Sequence, residues 1–118
     1  MKKEKDQNIV SALSHLPKPM INRDGILVYV REEARSETGA EHIAEKKHLL
    51  KIRDIKVIPG ILKDPISYKK DPKRKRSMIY FGKRPGQNNK APFLKIVTNI
   101  RKDGAEEIIT IYPKKRIK

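Results

Sequence analysis

The sequence predicts an α+β domain in which helices come first and an antiparallel sheet follows. Apolar residues recur at helical spacing in the first half of the chain, whereas the last third is a series of β-rich runs broken by turn residues. Between two of those runs, "FLKIVTNI" and "EEIITIYP", stands Asp103-Gly104, a strong hairpin signal.

Taken in order, Ile9, Val10, Leu13 and Leu16 predict a short amphipathic helix over 7–16, stopped by Pro17 and Pro19. Its apolar stripe is available to the body of the protein or to a partner, and His15 at its end reads as a solvated cap residue. "GILVYV", 25–30, follows an Asp24-Gly25 turn and reads as a strand. Thr38 and Glu41 have capping-box spacing and open a helix over about 38–49, with Ala40, Ile43, Ala44 and Leu50 as a narrow stripe. Ile55, Ile58, Ile61 and Leu62 predict a helix within 54–65, opened or kinked by Pro59 and ended at Lys63-Asp64-Pro65. "SYKKDPKRKR", 67–76, is a basic stretch without periodicity. "RSMIYF" (76–81), "FLKIVTNI" (93–100) and "EEIITIYP" (106–113) are the strands, with a polar Gly/Pro loop at 83–92. The organisation is a basic N-terminal segment, 1–24, ahead of a single domain, 25–118.

The chain has 118 residues, enough for one modest core. Lys and Arg total 29 against 14 Asp and Glu, a net charge of +15. So large an excess on a small domain favours polyanion partners, nucleic acid before an anionic membrane surface. The absence of cysteine removes disulfides, thiolate metal sites and cysteine nucleophiles. "MKKEKDQNIV" has charge without a following apolar core, and no window approaches the ~18 apolar residues of a membrane span, so the expected location is the cytoplasm with no membrane partner.

A two-residue Asp-Gly loop would set Lys102 opposite Ala105, Ile100 opposite Glu107, Thr98 opposite Ile109 and Ile96 opposite Ile111. With Leu94 these form a largely apolar face for the core. The other face pairs Asn99 with Ile108, Val97 with Thr110 and Lys95 with Tyr112. Alternation in "RSMIYF" puts Ile79 and Phe81 on the core side and Arg76, Met78 and Tyr80 on the other. Arg76, Tyr80, Lys95, Thr110 and Tyr112 are then placed to converge on one open surface; an ordinary solvated sheet face is the alternative.

His42 and His48 stand six residues apart, about 120° around a helix, and lack the i, i+4 spacing of a helical metal site. No metal and no cofactor is expected. Either histidine is an ordinary half-exposed helix residue on spacing alone, though an imidazole also titrates where a neutral-pH proton shuttle must. Lys46, Lys47 and His48 on this helix, the run Lys69, Lys70, Lys73, Arg74, Lys75 and Arg76, and Tyr80 are the expected contacts to nucleic acid, with phosphate attraction as the driving term.

"YVREEARSETGAEHIAEKKH", "DIKVIPGILKDP", "RKRSMIYF" and "EEIITIYP", in that order, resemble the phage-borne and mobile-element members of the barnase–EndoU–colicin–RelE-like nuclease superfamily. The resemblance rests on "EHI" at 41–43, "IPGILKDP" at 58–65, the basic run leading to Tyr80, and the closing 109–113, and it covers about residues 25–113. It implies helices packed on a four-stranded antiparallel sheet. It also implies metal-independent, toxin-like cleavage of RNA by attack of a ribose 2′-OH on the adjacent phosphate, and an acidic antitoxin or immunity protein as partner. His42 is the acid/base that it implies. Lys95 or Arg76 would stabilise the phosphate charge, with Thr110 and Tyr112 as hydrogen-bond donors. The loop at 83–92 is longer and more basic than that pattern leads one to expect. A non-catalytic nucleic-acid-binding module using the same basic surface is the alternative.

Overall fold

The computed structural model describes residues 7–31, 43, 50–86 and 90–117. Within them the chain runs α1 (Gln7–Ser14), β1 (Met20–Ile21), β2 (Leu27–Val30), α2 (Ile52–Lys56), α3 (Ile58–Lys63), β3 (Ser67–Lys70), β4 (Ser77–Lys83), β5 (Phe93–Ile100) and β6 (Glu106–Lys114). The mixed α+β class stands, but the sheet is not the expected four-stranded antiparallel one. It has six strands in the order β1-β2-β6-β5-β4-β3. β2 runs parallel to β6, with Val28 opposite Glu106, while the other neighbours are antiparallel. Turn signals announce hairpins between consecutive strands; a parallel pairing across 75 intervening residues has no local signature, and neither does a two-residue strand such as β1.

The stripe of α1 docks on the body, where Ile9 and Leu13 join Ile55 of α2, Ile58, Ile61 and Leu62 of α3, and the sheet residues Val28, Leu94, Ile96, Ile108 and Ile111 in one core. Ile43 is fully buried in the same cluster; the rest of the helix expected over 38–49 lies outside the described residues. The helix expected within 54–65 is two short ones meeting at Val57. Pro59 lacks the N–H needed mid-helix and is tolerated only in the first turn of α3. The Asp54 carboxylate accepts the backbone N–H of Lys51 at 2.7 Å, starting α2, and also takes Arg84 of β4's trailing loop (Nε 2.9 Å, NH2 3.0 Å); both side chains are buried. Gly82 lets α3 lie directly on β4: a Cβ there would stand 2.7 Å from Ile61 Cδ1.

The β5–β6 hairpin departs from the expected register near its turn. Ile100 stands opposite Glu106 and Thr98 opposite Ile108. The Arg101 N–H donates to Ala105 O, closing a loop one residue longer than Asp-Gly alone. Both central residues of the two-residue turn need positive φ, and Asp103 does not adopt it; in the longer loop only Gly104 does, at φ 90°. A bulge between Val97/Thr98 and their partners then absorbs the difference. Beyond it Val97 pairs with Thr110, Ile96 with Ile111 and Lys95 with Tyr112, as the sequence predicts. The bulge turns Ile109 and Thr110 toward the same side, so Ile109 leaves the main core.

Strand β4 reverses the expected faces. Tyr80 is fully buried in the main core, opposite Ile96, while Ile79 and Phe81 form a smaller cluster with Val97 and Ile109 on the other side of the sheet. Both faces are thus apolar in part, so alternation alone cannot say which side is inside. What selects Tyr80 is its hydroxyl. It donates to the buried Glu106 carboxylate at 2.8 Å, which also receives Thr98 (2.6 Å), Tyr68 (3.2 Å) and Asn22 (3.2 Å). A buried carboxylate needs such donors, and nothing in the sequence announces this set.

Candidate nucleic-acid interface

The side of the sheet away from the helices carries a cleft of about 400 Å³. Its floor is Ile79, Val97, Thr110 and Tyr112, from β4, β5 and β6. Lys95 rises beside Tyr112, its cross-strand partner, and Lys114 ends β6. The segment at 67–76, expected to be irregular throughout, begins as the edge strand β3 with Tyr68 opposite Tyr80. Strand alternation therefore places Lys69, opposite Ile79, on the cleft side, and the following loop brings Asp71, Lys73 and Arg74 to its rim.

Three expected site residues, Lys95, Thr110 and Tyr112, therefore meet, and Lys69, Lys73 and Arg74 join them. The ammonium of Lys95 is held below the usual lysine range, first by burial and then by repulsion from Lys114, with Lys73 and Lys69 adding to it; the Asp71 carboxylate acts the other way. Among the described residues, no ion pair engages Lys69, Lys73, Lys95 or Lys114. Cations gathered round a partly dehydrated floor raise each other's energy and are relieved by an anion. The Thr110 hydroxyl, buried in that floor, has no hydrogen-bond partner among the described residues. A buried hydroxyl left unpaired costs on the order of 1–3 kcal/mol.

Two expected members stand elsewhere. Tyr80 points into the core, its hydroxyl committed to Glu106, and does not reach the cleft. Burial and the Glu106 charge hold its phenol, and that of Tyr68 stacked on it (ring centroids 4.5 Å), above the ordinary tyrosine value. Arg76 does not line the cleft either. Its backbone is left-handed, φ 59°, and its guanidinium donates to Ile100 O (Nε, 3.3 Å) and Arg101 O (NH2, 3.0 Å), bracing the β3–β4 loop against the β5–β6 corner. Lys70 and Lys75 line a second hollow with Arg76. His42, Lys46, Lys47 and His48 lie outside the described residues. His15 keeps the capping place expected of it, Nδ1 lying 2.7 Å from Ser11 O. Sequence reasoning missed Lys114 as a cleft residue, although its place two residues after Tyr112 on one strand puts both on one face.

Among the described residues there is no cluster of three metal-ligating side chains, and no helix is long and apolar enough to cross a membrane. No family model, no curated protein and no solved structure matches this chain.

Proposed function

We propose that this protein is a metal-independent endoribonuclease whose cleft holds the scissile phosphate of RNA. The observation that carries the reading is the gathering of Lys69, Lys73, Lys95 and Lys114 round one cleft whose lining includes Thr110, its buried hydroxyl unpartnered among the described residues. In this assignment the lysines balance the charge of the phosphate and of the phosphorane that follows it. Thr110 Oγ1–H donates to a non-bridging oxygen and the Tyr112 phenol supplies a further donor. Attack forms the O2′–P bond and breaks P–O5′. A base takes the 2′-OH proton and an acid returns one to O5′, leaving a 2′,3′-cyclic phosphate and a 5′-hydroxyl. His42 is the acid/base that the nuclease resemblance supplies. Arg76 has no part in the chemistry; its brace holds the loop that carries Lys73 and Arg74. An acidic inhibitor protein of the antitoxin kind would complement the same face.

The test is incubation of the protein with transfer and messenger RNA in excess EDTA. Cleavage is expected, with His42→Ala slowing it by about 10²–10⁴ and Lys95→Met impairing it as well. RNA left intact at high protein concentration, with or without added metal ions, refutes the enzymatic reading. A second reading is a nucleic-acid binder without chemistry, for which the basic lining of the cleft, Lys69, Lys73, Arg74, Lys95 and Lys114, suffices. Salt-sensitive binding without cleavage selects it.

A further inference from the structure

The β3–β4 loop has a basic hollow on each side. One is the Lys95 cleft; the other, of about 600 Å³, is lined by Lys70, Lys75, Arg76 and Ser77 and ends at Ile100. The two share Asp71, Pro72, Lys73 and Arg74, so the loop is the ridge between them. Alternation along the edge strand supplies both: Lys69 stands opposite Ile79 and serves the cleft, while Lys70, opposite Met78, serves the second hollow. The ridge is held in shape. The Asp71 N–H donates to Ser77 O at 2.9 Å, the Lys73 N–H to Asp71 Oδ1 at 2.8 Å, the Ile100 N–H to Arg76 O at 2.7 Å, and the Arg76 guanidinium ties the far end to two carbonyls.

We propose that a single strand of RNA lying in the Lys95 cleft continues over the β3–β4 ridge into the Lys70–Lys75 hollow, so that the loop grips successive phosphates of one strand. This rests on the reading that the cleft takes an RNA phosphate, and it adds the path and the strandedness. Charge calls for more than one phosphate. Among the described residues Lys69, Lys73, Arg74, Lys95 and Lys114 face a single carboxylate, Asp71, and one phosphodiester carries one negative charge. The path excludes a duplex, which is stiff over about 150 base pairs and cannot fold around one hairpin loop. Among the described residues β3 is the last strand of the sheet, and none of the described strands blocks the way round its edge. Lys73 and Arg74, shared by both hollows, meet the phosphate that crosses the ridge.

The experiment is fluorescence anisotropy with labelled 2′-O-methyl oligouridylates, which cannot be cleaved by 2′-OH attack, of about three and about nine nucleotides, titrated over a range of salt. Lys95→Met is expected to weaken both lengths. Lys70→Gln/Lys75→Gln, exposed positions whose replacement leaves the thermal midpoint in place, is expected to weaken the long oligomer on the order of tenfold and to spare the short one. It should also lower the long oligomer's salt slope by about 0.7 for each phosphate no longer neutralised. A hairpin duplex of equal charge is expected to be indifferent to the double substitution. If the double variant binds the long strand like the parent while Lys95→Met does not, the path over the ridge is wrong and the cleft reading stands. If Lys95→Met binds both lengths like the parent, or the parent binds neither, the cleft reading and this inference fall together.

Discussion

Replacing Thr110 by valine sets two effects of opposite sign against each other. In the free protein the Thr110 hydroxyl, beside its cross-strand neighbour Val97 in the cleft floor, is buried and has no partner among the described residues. Valine keeps the branched shape and the packing and removes the unpaired dipole. An unpaired buried hydroxyl costs about 1–3 kcal/mol, so Thr110→Val should raise stability by about 1–2 kcal/mol. For a chain of 118 residues each kcal/mol is worth about 4 °C, which makes the expected rise in Tm about 4–8 °C. The same change deletes a hydrogen bond to a charged phosphate, worth about 1.5–3 kcal/mol, so affinity for an uncleavable oligoribonucleotide should fall by about 10- to 150-fold. The pair of measurements is thermal denaturation followed by circular dichroism, in a buffer free of phosphate and sulfate, and anisotropy on the same samples. A Tm that falls or stays put would mean that the hydroxyl already has a partner in the free protein. A raised Tm with unchanged affinity would mean that it does not face the anion. Either result refutes the reasoning that makes Thr110 part of a phosphate site.

Other expectations follow from the packing and the charges. Arg84→Met strands the buried Asp54 carboxylate and should cost about 3–5 kcal/mol in urea denaturation; adding Asp54→Asn should recover part of the loss. Gly82→Ala drives a methyl group into Ile61 and should cost about 1–3 kcal/mol, relieved in part by Ile61→Val. Lys95 gives a pH dependence. Its folded pKa lies below the ordinary 10.5, so the charged form is disfavoured by folding, and that cost is fully present below the folded value. As pH rises from the folded value toward the unfolded one, the folded chain has released the proton that the unfolded chain still holds, and the cost fades. Tm measured upward from neutral pH should therefore show a stabilising component in the parent that Lys95→Met lacks, while anion affinity of the parent falls over the same range. A Tm profile identical in parent and variant would show that Lys95 is not under the strain its neighbours imply.

Much of the frame was legible because it rests on local rules. The stripe of Ile9 and Leu13, the strands at 93–100 and 106–113 and the alignment of Lys95, Val97, Thr110 and Tyr112 follow from periodicity. The last of these was reached through two departures that cancel: a loop longer than Asp-Gly alone, and a bulge that restores the register. Pro59 was legible as opening or kinking a helix, and it stands in the first turn of α3. The face of β4 was not legible, since Ile79, Tyr80 and Phe81 are all apolar enough to be buried and each is. Only the partner of the Tyr80 hydroxyl, a carboxylate 26 residues away, decides between the two sides.

By itself the sequence determined the charge of this protein, the α+β order of its elements and the residue types along each strand, because these depend on composition and on neighbours close in the chain. The tertiary structure decided that β2 joins β6 in parallel, that Glu106 draws Tyr80 inward, and that Arg76 serves as a brace while Lys69, Lys73 and Lys114 surround Lys95. Those outcomes depend on which groups meet across long stretches of chain, where a buried charge must find donors and a basic loop must find something to lean on, and no pattern within a single segment encodes them.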